Sequence, residues 1–82
     1  MPDISPTAMQ DFIRGRGLTY EATGVLAQCE TSTISRIVRG HQRPRPQTIV
    51  TLARALGISP KRLEAMADAA WAGAHPDERV SA

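Results

Sequence analysis

At 82 residues, with a net charge of +2 and a single cysteine, Cys29, the chain has room for one domain with a limited core. That cysteine count excludes an internal disulfide framework and a zinc site built on cysteine pairs. No apolar run approaches the ~20 residues that cross a bilayer, and Met1 to Gln10 lacks a basic start followed by an apolar stretch, so no secretory leader is expected there.

In chain order, Ser5-Pro6 reads as a helix start, a capping hydroxyl followed by proline at the first helical position. Met9, Phe12 and Ile13 then make one apolar face, and Gly15 and Gly17 close a first helix over residues 6–15. Thr19 is the cap candidate for a second, short helix from Tyr20 to Ala27, weakened by Gly24 in its middle. Thr31, Ser32 and Thr33 are good helix starters and poor interior residues. Ile34, Ile37 and Val38 follow at i, i+3 and i+4, and Gly40 ends this third helix after about two turns.

The segment His41 to Pro46, HQRPRP, is predicted to be an extended, exposed loop because of its two prolines. A fourth helix carries Ile49, Leu52, Ala53 and Leu56 and stops at Gly57. Ser59-Pro60 repeats the opening start signal. Leu63, Met66, Ala67 and Ala70 give a fifth apolar stripe, ended by Gly73 and Pro76. No strand pattern and no internal repeat is present. The expected organisation is one domain over residues 1–73 and a flexible C-terminal tail over 74–82.

Charge placement says more than the net value. From Thr31 to Leu63 there is no Asp or Glu, while the same stretch holds Arg36, Arg39, Arg43, Arg45, Arg54, Lys61 and Arg62. A basic segment between acidic ends suits a polyanion and, on charge alone, equally a solvated basic face. On the third helix, Ser32, Ser35, Arg36 and Arg39 fall at i, i+3, i+4 and i+7, a face of hydroxyls and guanidinium groups opposite the apolar stripe. Such a face suits the major groove of duplex DNA, about 12 Å wide and able to admit one helix.

These residues carry a resemblance. Leu18 to Leu63 is similar to the phage repressor and Cro-like helix-turn-helix family, also called XRE. The resemblance rests on Gly17-Leu18-Thr19, Thr33-Ile34-Ser35-Arg36-Ile37 and Arg39-Gly40. After a basic, proline-containing loop it continues with Thr48-Ile49, Leu52-Ala53, Ala55-Leu56-Gly57-Ile58-Ser59 and Leu63. It implies an all-α, compact five-helix domain of the lambda repressor-like kind, with its third helix as recognition helix and its second across the DNA backbone.

It further implies a cytoplasmic, nucleoid-associated transcriptional regulator of bacterial or phage type, commonly a repressor and a homodimer on operator DNA. The family's base-contacting positions fall on Thr31, Ser32, Thr33 and Arg36. Its backbone-contacting positions fall on Tyr20, Ser35, Arg39, Arg43 and Arg45. The alternative on the same fold is an antitoxin-type or other protein-interaction module.

The chain departs from the family in the second helix. The family's leucine-alanine, leucine and glycine positions hold Thr23-Gly24, Ala27 and Gln28. Periodicity instead nominates Ala22, Val25, Leu26 and Cys29 as the buried stripe, a register one residue away. A longer turn with Thr31, and not Glu30, capping the third helix would reconcile the two, leaving Thr31 as either cap or base reader. Tyr20 reads equally as a phosphate contact or a lid on the core edge, and Arg14 and Arg16 equally as solvated or functional. Cys29 is expected to pack inside. Trp71 is expected to finish the core or, with Leu63, Met66 and Ala70, to face a second copy. No nucleophile–base–acid set, phosphate-cradling glycine loop or metal-ligand spacing is present, so no catalysis, cofactor, metal or small-molecule substrate is expected.

Overall fold

The computed structural model describes residues 4–76. They form five helices and, among the described residues, no strand: α1 (Ala8–Gly15), α2 (Tyr20–Ala27), α3 (Thr31–Val38), α4 (Pro46–Leu56) and α5 (Pro60–Ala74). Three of the five are only eight residues long. Isolated helices shorter than ~12–15 residues are marginal in water, so these are held by what they bury.

α1 buries Met9 and Ile13, and α3 buries Ile34, Ile37 and Val38. α4 contributes Leu52, Ala53 and Leu56, and α5 contributes Leu63, Met66, Ala67 and Ala70. Removing one such leucine or isoleucine from water is worth roughly 1.5–3 kcal/mol. The three on α3 are enough to fix one side of that helix to the core and leave the opposite side free. α2 packs on α3 and α4, while α5 closes the bundle against α1, α3 and α4.

Several boundaries differ from the sequence reading. α1 starts at Ala8, not Pro6. The Ser5 hydroxyl accepts from the Thr7 amide at 3.2 Å, and the Thr7 hydroxyl donates to Asp11 at 3.2 Å, so residues 5–8 close as a turn before the helix begins. Pro46 belongs to α4 as its first residue, where its missing N–H costs nothing. α5 runs through Gly73 to Ala74. Gly73 is a contact and not a stop: a Cβ there would lie 2.6 Å from Pro6 Cβ, so its bareness lets the chain ahead of α1 lie on α5. The tail expected over 74–82 lies, from residue 77 onward, outside the described residues.

The cap assignments at Thr19 and Ser59 match the structure. Thr19 Oγ1 accepts from the Ala22 amide at 3.0 Å and Ser59 Oγ from the Arg62 amide at 3.1 Å. Gly40 ends α3 for two reasons. Its φ is +78°, and a Cβ would meet the Ala70 carbonyl oxygen at 2.1 Å, so any side chain here pushes α3 off α5. No helix among the described residues is long and apolar enough to cross a membrane.

Candidate nucleic-acid interface

α2 and α3 are joined by a three-residue turn, Gln28 to Glu30, and each is eight residues long. The turn is made by Gln28 in the left-handed region at φ 59° and ψ 41°, the one non-glycine residue at positive φ among the described residues. Cys29 then donates its amide to the Gly24 carbonyl at 2.8 Å. This brings the turn onto the helix so closely that a Cβ on Gly24 would lie 2.6 Å from the Cys29 carbonyl oxygen.

This geometry corrects the periodicity reading of α2. The buried residues are Thr23, Gly24 and Ala27, the positions the family resemblance marks. Val25 and Leu26 face outward at 75% and 53% exposure. Thr23 is fully buried because its hydroxyl donates to the Thr19 carbonyl at 2.8 Å and leaves no orphan polar atom. Cys29 is half-buried, with Sγ 3.5 Å from the Ala27 carbonyl oxygen, and packs against the core.

Capping of α3 is also corrected. Glu30, not Thr31, is its N-cap, extended at φ −71° and ψ 151°, with no side-chain cap bond; its carbonyl accepts from the Thr33 and Ile34 amides. Thr31 is the first helical residue and is exposed. Ser32, Arg36 and Arg39 are exposed, Thr33 and Ser35 half-buried. With Ile34, Ile37 and Val38 turned inward, Ser32, Ser35, Arg36 and Arg39 share the outward stripe that their helical spacing sets. The face has no acid within it; the nearest in sequence is Glu30 at its N-terminal end.

A cleft of about 390 Å³ opens between α1, the start of α2 and the end of α3, lined by Gln10, Arg14, Leu18, Thr19, Tyr20 and Arg39. No carboxylate lines it and two guanidinium-bearing side chains do. Tyr20 packs against the core edge and also lines the cleft. Arg14 reaches this place because Gln10 and Arg14 sit at i and i+4 on α1. The sequence carries no signal for Arg14 at this place: it lies outside the acid-free stretch, and its approach to Arg39 depends on how α1 packs in the bundle.

The remaining cations separate. Arg45 is exposed at the N-cap of α4. Arg43 turns to α5, donating to Asp68 at 3.1 Å, with its guanidinium carbon 5.1 Å from the centre of the Trp71 ring. Arg16 lies 5.1 Å from the Phe12 ring centre. Leu63, Met66 and Ala70 are 0%, 5% and 3% exposed and belong to the interior of the single chain. Trp71 is half-buried and stacks on His75 with ring centres 3.8 Å apart. A face toward a second copy built on the first three would require opening the core.

Two short helices, a tight turn, and a second helix with one face in the core and the other outward define a DNA-binding helix-turn-helix protein. The model of a family described as a helix-turn-helix domain matches residues 13–66, more than half of the chain, so the chain belongs to that family. No match is found among curated proteins or among solved structures.

Proposed function

We propose that this protein is a sequence-specific transcriptional regulator, a repressor in the XRE manner, that lays α3 in the major groove of an operator. The observation that carries the reading is the outward stripe of α3, hydroxyls and guanidinium groups on a helix whose other side is locked in the core. Arg36 is assigned to guanine, the commonest specific pairing, with Thr31, Ser32 and Thr33 at neighbouring base edges. Thr31 supports this because its side chain is not spent as a cap.

Backbone contacts are assigned to Tyr20, Ser35, Arg39 and Arg45, and the acid-free cleft adds Arg14 to them. Such contacts position the protein without reading sequence. A homodimer on a near-palindromic site, with half-sites about 34 Å apart, would double this footprint.

The test is a comparison of wild type and Arg36→Ala on a duplex selected from random sequence. The variant should lose discrimination at one base position, by ~1–3 kcal/mol, while keeping its binding to random DNA within a few-fold. Full retention of specificity would remove α3 from the reading role.

A further inference from the structure

The connection between α3 and α4, residues 39–45, is the longest between helices among the described residues. It is tied at its entry by the His41 amide on the Arg36 carbonyl at 2.8 Å and at its exit by the Ile49 amide on the Arg45 carbonyl at 2.9 Å. Pro44 brings no N–H to fasten it further. Between these ties Arg43 reaches across 25 positions of sequence to Asp68 and makes the one ion pair joining two described residues. Asp68 and Trp71 are three apart on α5 and meet Arg43 together, the carboxylate at its Nη1 and the ring beside its guanidinium. His75 stacks on that ring in turn.

We infer that Asp68 and Trp71 are positioning residues for DNA binding: they seat Arg43 on α5 and so set the path on which Arg45 meets the phosphate backbone. The inference rests on the DNA-binding reading above, and within it Arg43 is a brace and not a phosphate ligand.

The two roles differ in sign at Asp68. A carboxylate beside a DNA-facing loop repels phosphate and, if Arg43 were a phosphate ligand, would also compete for it. Removing Asp68 would then tighten binding. If Arg43 is a brace, removing Asp68 loosens the loop and weakens binding despite the lost negative charge. The loss is bounded by what an exposed ion pair with a ring contact is worth, about two- to fivefold in affinity.

The experiment measures the full chain on a duplex selected from random sequence and on random duplexes over a range of salt, as wild type, Asp68→Ala, Asp68→Glu, Arg43→Ala and the double variant of Asp68→Ala with Arg43→Ala. Trp71 is the only tryptophan, so its emission reports the brace without DNA. Expected are equal weakening by Asp68→Ala and Arg43→Ala on both duplexes, no further loss in the double variant, and recovery in Asp68→Glu. A wild-type salt slope, a nearly unchanged melting temperature and the same change of Trp71 emission in both single variants are also expected.

Tighter or unchanged binding by Asp68→Ala overturns the inference, as does an Arg43→Ala slope reduced by about 1, the mark of a lost phosphate contact. If the wild type binds neither duplex, the DNA-binding reading fails on its own. The brace is then decided by Trp71 emission, and emission unmoved in Asp68→Ala refutes it.

Discussion

At the scale of single residues, α2 shows where apolar pattern misleads. Val25 and Leu26 are the large hydrophobic residues of this helix and lie outside, while Thr23 and Gly24 lie inside. Two local facts produce this inversion. Thr23 satisfies its own hydroxyl on the carbonyl one turn back, so burial costs it little. Gly24 is needed bare because the turn crosses directly over it. Neither is visible in a hydrophobic period, whereas the order of family motifs marks the right positions. Gly24→Ala should therefore destabilise the protein, although alanine is the better helix former. Displacing the Cys29 carbonyl is expected to cost about 1–3 kcal/mol, measurable as a lowered urea midpoint. An unchanged or raised midpoint would show that the turn yields freely.

At the scale of elements, all five helices were legible, and most ends came within two residues. Hydroxyl caps at Thr19 and Ser59, prolines at first helical positions and glycines past the ends are local signals that the backbone obeys. The start of α1 was misread because the Thr7 hydroxyl is taken by Asp11 and Ser5. At the start of α3 the sequence leaves Thr31 open as cap or first helical residue, because Glu30 caps without using its side chain. That second start leaves a defined vacancy in capping. Glu30→Ser supplies a hydroxyl able to accept from the amide of Ser32 or Thr33. It should raise stability by about 0.5–1 kcal/mol, read by thermal or urea unfolding. A loss of stability would mean that the Glu30 carboxylate already serves the helix N-terminus as well as a cap would.

At the scale of the whole molecule, the fold decides which charges share a surface. The outward stripe of α3 was legible, because a period of 3.6 residues places Ser32, Ser35, Arg36 and Arg39 together whatever the tertiary structure does. Which of the other cations join them was not legible, because that depends on packing between distant elements. Arg14 of α1 comes beside Arg39, the C-cap of α3, only through the bundle. Arg43 leaves the group only because Asp68 and Trp71 of α5 stand beside its loop. The same bundle withdraws Leu63, Met66 and Ala70 from any outer surface.

The central claim, that α3 binds duplex DNA with Arg14, Arg39 and Arg45 on its phosphates, is tested most directly by the affinity for duplex DNA as a function of salt, for wild type and Arg14→Ala. With Arg14, Arg39 and Arg45 each neutralising a phosphate, log K should fall linearly with log salt at a slope near −2.7 per chain or steeper. Arg14→Ala should make that slope shallower by about 1, equally on specific and random sequences. An affinity that stays flat as salt rises, or a slope untouched by the loss of Arg14, would contradict it.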